Sequence, residues 1–396
     1  MTGPATGAGG TTDRSGLTAD YPQVVAAAGA RAEEIERSGH LPPDVVDGLV
    51  DTGVFRLWVP ARYGGAEADV QTLLDAIELA AYHDGSLGWC VMIGATTALN
   101  AGRLPAEHAA EIYGHRRAIT GGFGRPVGRA VAVDGGLRVS GSWPWGSGTG
   151  HCTWIGGGVL VVDAEGRPAP RPDGTVALFV YAPAAEVTRD DDWDVVGLRG
   201  TGSVTYHLAD ALVPEGRWVA LVGGGPPVVD HPLYRFSLLG ALALGVASVT
   251  LGLARRAVDE LIALAAKRPD ASNRSLGERA PVQADLARCD ATVRAARAFV
   301  ADTAGRCWDT ATAGRPLPDE EKRLLRAAAN HAVAASTEVV DRCYTLAGGT
   351  AVFTASPLQR ILRDTHTATQ HAMTAPRMWE PLGRMLFGLP TDTSQF

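Results

Sequence analysis

The sequence predicts a mainly α-helical protein with a central antiparallel β domain. Apolar residues recur at helical spacing over the first third of the chain, and short alternating runs broken by turn residues follow over 118–219. Long segments with helical periodicity return after Pro232. This order predicts three domains after a disordered leader rich in Gly, Thr and Ala. Their expected bounds are 1–16 for the leader and 17–117, 118–230 and 231–396 for the domains.

The N-terminal domain is expected to contain helices only. An alanine-rich segment with Glu and Arg at its polar positions begins it, and prolines open two later helices, near Pro42 and at Pro105. Apolar residues three and four positions apart support the others. The predicted helices cover about 21–37, 42–53, 69–83, 86–100 and 105–114.

The central domain is predicted from its turns. Asp134-Gly135-Gly136 separates two alternating runs, 130–133 and 137–140, which is a strong β-hairpin signal. Such strands over this whole region favour a compact antiparallel barrel or sandwich. Further strands are expected at 158–162, 176–181 and 203–208.

The C-terminal domain is predicted to be a four-helix bundle, because four long helices follow one another with short links. The first carries no charge over 237–254, a length close to that of a membrane span. Its glycine, alanine and serine residues allow close helix approach, so we expect a helix buried in the bundle or in a subunit interface, and no membrane association. The expected helices cover 235–267, 280–313, 319–347 and 357–373, with a tail helix at 376–387.

Composition excludes several classes of protein. The net charge of -7 and the lack of a long basic run argue against a nucleic-acid partner. Five scattered cysteines without a C-x-x-C pair argue against a disulfide framework or a zinc site, and for a reducing cytoplasm. We therefore expect a cytoplasmic globular protein.

Three motifs connect the chain to a known family. Residues 55–65 read Phe-Arg-Leu-Trp-Val-Pro-Ala-Arg-Tyr-Gly-Gly, and 193–203 read Trp-Asp-Val-Val-Gly-Leu-Arg-Gly-Thr-Gly-Ser. A paired-glycine turn at 346–350 then precedes an Arg-Asp segment at 360–372. In this order and spacing, the chain resembles the acyl-CoA dehydrogenase superfamily over nearly its whole length. The resemblance implies an N-terminal helical domain, a middle antiparallel β-barrel and a C-terminal four-helix bundle.

The carboxylate that serves dehydrogenases as the catalytic base is missing at both of its usual places. Ala372 stands where the family has a glutamate, and 235–252 contain no Asp or Glu on the first bundle helix. Dehydrogenation needs such a base within hydrogen-bond reach of the substrate proton. Together with Gly128-Arg129-Ala130 and the run Trp-Pro-Trp-Gly-Ser-Gly at 143–148, this makes the chain more similar to one branch, the two-component (group D) reduced-flavin-dependent monooxygenases.

The resemblance implies a set of cofactor contacts. The ring at Trp145 is expected to lie against the flavin, and the hydroxyl at Ser147 to bond near flavin N5; read alone, they would be a strand core residue and a turn residue. Gly348 and Gly349 would let the backbone approach a phosphate, or else form a simple interhelical turn. The expected cofactor-binding residues are Trp145, Ser147, Gly148, Thr201, Ser203, Arg274, Gly348, Gly349 and Arg363.

The same branch has a histidine, proposed as catalytic base or proton donor, at the position of His371. We therefore expect His371 and Ser147 to be catalytic, since an imidazole has a pKa near working pH. On one continuous helix, His371 would share a face with Asp364 and Thr367. Arg274 and the paired glycines would serve a neighbouring protomer's flavin, which implies a homotetramer.

The substrate is less constrained than the cofactor. Trp89, Asn100 and His83 are candidate pocket residues, although each fits equally well as helix core or surface. The stretch 96–100 lacks a histidine that phenol-oxidising members of the branch carry. This leaves amines, including amino sugars, and sulfur heterocycles open.

The sequence thus predicts the oxygenase component of a two-component monooxygenase. Reduced FMN or FAD would come from a separate flavin reductase, because the chain has no Gly-x-Gly-x-x-Gly fingerprint. With O₂ it would form a C4a-hydroperoxyflavin, sheltered from water, that hydroxylates or N- or S-oxygenates a small organic, biosynthetic substrate. Two alternatives stay open: an acyl-CoA dehydrogenase or oxidase with an unrecognised base, and a non-catalytic flavin-fold binding protein.

Overall fold

The computed structural model describes residues 16–221, 225–266, 275–393 and 396. Within them, the order of elements is helices, one sheet and helices again, as the sequence predicts. All but the last residue of the expected leader lies outside the described residues, and so does Arg274.

The N-terminal helices follow the predicted pattern with one break. Gly29 packs so closely against the end of the fourth helix that a Cβ on it would lie 2.7 Å from the Cβ of His83. Arg31 then leaves helical geometry, so the single helix expected over 21–37 is wrong and two helices stand there. The helices are α1 (Tyr21–Gly29), α2 (Ala32–Ser38), α3 (Pro43–Asp51), α4 (Val70–His83), α5 (Gly85–Thr96) and α6 (Ala106–Tyr113).

The β domain is one seven-stranded sheet in the order β5-β6-β2-β1-β3-β4-β7. The predicted hairpin is confirmed, since β1 and β2 pair antiparallel up to Val133 and Gly136, with Gly135 at φ +79°. β1 and β3, however, pair parallel, so the expectation of a purely antiparallel domain is wrong and the sheet is mixed. The strands are β1 (Thr120–Val133), β2 (Gly136–Trp143), β3 (Trp154–Val162), β4 (Ala177–Pro183), β5 (Thr188–Arg189), β6 (Tyr206–Pro214) and β7 (Trp218–Ala220).

Three long helices, α8, α9 and α10, dominate the C-terminal part, whereas the fourth expected helix, α11, has only 12 residues. Among the described residues α8 alone is long and apolar enough to cross a membrane, yet most of its apolar stretch is buried. It packs against α4 and α10, which makes it the central core helix. The helices are α7 (Pro232–Arg235), α8 (Leu238–Ala265), α9 (Ala280–Thr312), α10 (Asp319–Ala347), α11 (Pro357–Ala368) and α12 (Trp379–Leu386).

The helix expected over 357–373 ends earlier than predicted, at Ala368. His371 has extended backbone geometry, and its ring accepts a hydrogen bond from the backbone N–H of Met373 at the start of a short 3₁₀ turn. His371 therefore shares no helical face with Asp364 and Thr367. This correction places the imidazole on a turn between α11 and α12, at a position set by its own capping bond.

Candidate functional site

The site is built around the turn that follows β2. Trp145 adopts φ +57° and is 57% exposed, so it is not the strand core residue that Trp143 is. The backbone N–H groups of Gly146 and Gly148 donate to the carbonyls of Val204 and Thr201, both at 2.9 Å. These bonds attach the turn to the loop that precedes β6.

Gly148 permits this turn geometrically. It adopts φ +69°, and a Cβ there would lie 3.0 Å from the His151 ring and 3.9 Å from the Cys90 sulfur. A side chain at this position would combine backbone strain with a close contact. The turn that presents Ser147 therefore depends on glycine.

Three hydroxyl groups form a continuous chain behind the turn. Ser147 Oγ lies 2.7 Å from Ser203 Oγ, which lies 2.6 Å from Thr201 Oγ1. Thr201 Oγ1 in turn donates to the carbonyl oxygen of Leu198 at 2.7 Å. All three hydroxyl-bearing residues are buried. The structure thus brings three of the predicted residues together, with Ser147 at one end of the chain.

Trp89 joins this chain to His371. Its indole Nε1 donates to Ser147 Oγ at 3.0 Å from its place in the middle of α5. Its ring meets the His371 ring edge-on, with centroids 5.6 Å apart. Ser147, Trp89 and His371 are therefore contiguous, although they come from three separate parts of the sequence.

His371 is held in its neutral form. Burial, and secondarily the positive charge of Arg326, lowers its pKa to about 4. Because Nδ1 accepts from the Met373 N–H at 3.3 Å, the proton of the neutral ring is on Nε2. Arg326 is itself buried and donates to the Met373 carbonyl at 2.7 Å, and its pKa falls to about 10. At neutral pH, His371 presents an N–H donor at Nε2.

Asp364 supports the hydroxyl chain from behind and was missed by the sequence analysis as a site residue. Its Oδ1 accepts from the backbone N–H of Leu198 at 2.6 Å, and Leu198 adopts φ +52°. Burial, with the nearby Asp84 carboxylate second, raises the Asp364 pKa to about 7. The Arg-Asp pair of the motif was the available signal, but only the fold shows which loop the carboxylate holds.

Arg363, which is predicted to bind the cofactor, lies on α11 and contacts the loop that contains Leu198. Its Nη1 donates to the Val196 carbonyl at 2.6 Å and pairs with Glu36 at 2.5 Å. These contacts anchor the loop that carries Thr201 and Ser203. Within this chain Arg363 is thus a loop anchor, as Asp364 is.

Two predicted pocket residues make their contacts elsewhere. Asn100 donates to the Tyr181 hydroxyl at 2.7 Å, in a buried polar cluster with Tyr113. His83 lies at the end of α4, with its ring edge-on to Tyr82 and its backbone against α1. Of the three expected pocket residues, the structure joins Trp89 alone to Ser147 and His371 among the contacts it describes.

The paired glycines stand apart from these residues. Gly348 ends α10 with φ +59°, and a Cβ on Gly348 or Gly349 would meet nothing within 4 Å. Nearby Phe353 is 71% exposed. Neither glycine is needed for packing inside this chain, so the turn is open to an outside group.

The arrangement fits a flavin chemically. An isoalloxazine needs a flat apolar surface and a few oriented polar groups. Trp145 supplies an exposed ring, Ser147 a buried hydroxyl oxygen, and His371 an imidazole N–H next to the Trp89 ring. Trp89 lies on α5, and backbone hydrogen bonds anchor the turn that carries Trp145 and Ser147, so the fold of the chain itself places these groups.

Comparison with known proteins identifies the same chemistry. The family models for the acyl-CoA dehydrogenase N-terminal and C-terminal domains match residues 22–104 and 244–376. An indole-3-acetate monooxygenase from Pseudomonas putida is 33% identical over 91% of this chain and 90% of its own length. The oxygenase subunit HsaA of a flavin-dependent monooxygenase from Rhodococcus jostii is 29% identical over 92% of this chain and 96% of its own length.

A solved structure agrees over the same length. XiaF from a Streptomyces species, in complex with FADH2 and glycerol, superimposes with a TM-score of 0.86 at 30% identity, covering 94% of this chain and 96% of XiaF. The predicted monooxygenase function is confirmed against the dehydrogenase and the non-catalytic alternatives. The chain belongs to the flavin-dependent monooxygenases of the acyl-CoA dehydrogenase superfamily.

Proposed function

We propose that this chain is the oxygenase component of a two-component system and that it oxygenates a small aromatic heterocycle of the indole type. Reduced FMN or FAD comes from a separate flavin reductase. The observation that carries the proposal is the contiguous arrangement of Ser147, Trp89 and His371, with an oxygen acceptor at one end and an imidazole donor at the other.

The substrate class follows from the surface around His371. The Trp89 ring meets the imidazole edge-on, which provides a flat apolar wall beside a single N–H donor. Residues 96–100 lack the histidine that phenol-oxidising members carry. The hydroxyls of Thr96 and Thr97 in this stretch donate to backbone carbonyls of α5, so they do not replace that histidine as a base. The similarity to an enzyme named indole-3-acetate monooxygenase supports an indole, a class that the sequence analysis did not name beside amines and sulfur heterocycles.

Each residue has a separate role in this proposal. When bound, a reduced flavin supplies two electrons, so that one oxygen atom of O₂ goes to the substrate and the other leaves as water. Trp145 would provide an apolar wall for the flavin ring, and Ser147 would accept a hydrogen bond from that ring. The buried setting of Ser147 and Trp89 excludes water, which protects the reaction from unproductive release of H₂O₂.

His371 is assigned the role of hydrogen-bond donor through Nε2–H, and the alternative roles as base or proton donor are disfavoured. A base needs a free lone pair, but Nδ1 is occupied by the Met373 N–H and Nε2 carries the proton. A neutral donor at this place can hydrogen-bond a leaving oxygen without first being protonated. The lowered pKa keeps this form over the whole neutral range.

A homotetramer completes the site in this proposal. The open paired-glycine turn and the exposed side chains of Val352 and Phe353 lie at one end of α10, where an adjoining protomer's flavin phosphate would be accepted. Arg274 is proposed to serve the same neighbouring site. The same proposal includes a cytoplasmic location and a finer architecture. This architecture consists of a closed barrel, a regular four-helix bundle and domain bounds at 117/118 and 230/231.

Isotope labelling tests the proposal. The protein, a flavin reductase, NADH and FMN or FAD are incubated under ¹⁸O₂ with indole or indole-3-acetate, and products are analysed by mass spectrometry. The expected result is one ¹⁸O atom in the oxygenated product. Oxygen derived from water, or consumption of all O₂ as H₂O₂ with both probes, would count against an indole-oxygenating enzyme.

A further inference from the structure

The proton positions along the hydroxyl chain follow from its distal end. The Leu198 carbonyl can only accept, so the hydroxyl of Thr201 must donate in their 2.7 Å bond. Each hydroxyl has one proton to give. The 2.6 Å contact between Thr201 and Ser203 is therefore donated by Ser203. The same elimination applies one step further along the chain.

Ser147 is consequently left as an acceptor only. Since the Ser203 proton is used on Thr201, the 2.7 Å contact between Ser203 and Ser147 is donated by Ser147. Ser147 Oγ also accepts from Trp89 Nε1 at 3.0 Å. A hydroxyl oxygen has two acceptor positions, so one remains on Ser147 and no proton does.

The bond to Leu198 at the far end of the hydroxyl chain opposes a reversal of the donor–acceptor direction along it. The Leu198 peptide is fixed in a left-handed conformation, and its N–H donates to Asp364 Oδ1 at 2.6 Å. Its carbonyl also receives the indole N–H of Trp193 and the backbone N–H of Thr201, each at 3.2 Å, and both bonds are longer than the 2.7 Å bond from the Thr201 hydroxyl. For Ser147 to become a donor outward, Thr201 would have to give up its bond to this carbonyl. Because the hydroxyl residues are buried, water would not replace that bond.

We propose that this directed hydroxyl chain selects the redox state of the flavin, with Ser203 and Thr201 as positioning residues. Reduced flavin carries a hydrogen on N5 and is a donor there, whereas oxidised flavin presents a lone pair at N5 and is an acceptor. An acceptor-only Ser147 therefore matches the reduced form and leaves the oxidised form without a partner. This inference rests on the proposed function, in which Ser147 faces N5.

The size of the effect corresponds to one buried hydrogen bond. Losing such a bond weakens binding by about three- to tenfold. The wild type should therefore bind reduced flavin at least that much more tightly than oxidised flavin. Removing the hydroxyl of Thr201 or Ser203 should free the Ser147 proton to hydrogen-bond N5 of oxidised flavin. The preference for reduced over oxidised flavin should then fall by a similar factor.

Thr201→Val and Ser203→Ala are the test variants, with Thr149→Val as the matched control. Thr149 lies in the same turn region and is fully buried. Its hydroxyl donates to the Gly146 carbonyl at 2.8 Å and takes no part in the hydroxyl chain of Ser147, Ser203 and Thr201. Dissociation constants for oxidised and dithionite-reduced FMN and FAD are measured anaerobically by equilibrium dialysis. Circular dichroism verifies that each variant is folded.

The expected result is a ratio of oxidised to reduced dissociation constants that falls about three- to tenfold in Thr201→Val and Ser203→Ala. The ratio stays at the wild-type value in Thr149→Val and is restored by Thr201→Ser, which keeps the hydroxyl. A change of equal size in the Thr149→Val control would assign the effect to packing and overturn the inference.

Failure of the inference is distinguishable from failure of the proposed function. An unchanged ratio in both test variants, or a wild type that binds both redox states equally, overturns the redox selection even if ¹⁸O enters the product. A wild type that binds neither flavin overturns both. If Thr201→Val does not fold, Ser203→Ala and its ratio decide the outcome alone.

Discussion

Acidification should destabilise the protein through His371, and replacing this residue by glutamine should remove that part of the pH dependence. The folded structure lowers the pKa of His371 from 6.5 to about 4, because desolvation of its half-buried imidazole makes the charged form costly. The unfolded chain binds the proton near pH 6.5, so the unfolded state gains protons first as the pH falls. The stabilisation is complete above pH 6.5 and is lost as the pH falls towards 4.

The magnitude follows from the size of the shift. Each unit of pKa corresponds to about 1.4 kcal/mol, so His371 should account for about 3 kcal/mol of unfolding free energy lost between pH 6.5 and pH 4. His151 has its pKa lowered to about 4 as well, chiefly by burial, and should contribute a separate loss of similar size. His371→Gln should thus reduce the loss of unfolding free energy between pH 6.5 and pH 4 by about 3 kcal/mol, and the double variant should reduce it further.

Urea unfolding of the flavin-free protein at pH 7.5, 5.5 and 4.5 measures this effect. The comparison is between the wild type, His371→Gln and His151→Gln, each followed by circular dichroism and tryptophan fluorescence. Equal losses of unfolding free energy in the wild type and in His371→Gln would show that the folded protein does not hold His371 neutral.

Three further outcomes follow from the site. His371→Ala should slow oxygenation by about a hundredfold or more, because the hydrogen-bond donor is lost, and a larger share of the flavin should be oxidised with release of H₂O₂; full coupling, measured by product and peroxide assays, would remove His371 from catalysis. Asp364→Ala should lower the unfolding free energy by about 1.5–3 kcal/mol, because the buried Leu198 N–H loses its acceptor, whereas Asp364→Asn keeps a side-chain oxygen as acceptor. Equal urea midpoints for the two variants would contradict this role of the hydrogen bond. Gly148→Ala should cost about 1–3 kcal/mol through its positive φ and the His151 contact, and wild-type thermal stability would contradict this.

Local patterns allowed much of the fold to be predicted from the sequence. The helical periodicity of α4 and α8–α10 and the Asp-Gly hairpin between β1 and β2 depend on neighbouring residues, so their signals are present in short windows. The parallel pairing of β1 and β3 is a long-range contact with no local signature. The break between α1 and α2 likewise depends on how closely α4 packs against Gly29.

The site shows the same division. The motif around Ser147 and the position of His371 were visible because the residue types and their order are distinctive. The end of α11 before His371 was not, since it depends on a ring nitrogen capping the N–H of Met373. The supporting role of Asp364 was hidden as well, because its partner Leu198 is distant in sequence. His83 was a plausible pocket residue by type, but α4 directs it towards α1.

The most direct test of the account is the course of flavin re-oxidation on the protein. Wild-type protein is mixed anaerobically with reduced FMN or FAD and then with O₂, while oxidised flavin is followed at its visible absorbance and H₂O₂ is measured in parallel. We expect the wild type to delay both signals relative to free reduced flavin, and Ser147→Ala to shorten the delay. Re-oxidation and H₂O₂ release that match free flavin, with both flavins, would contradict it.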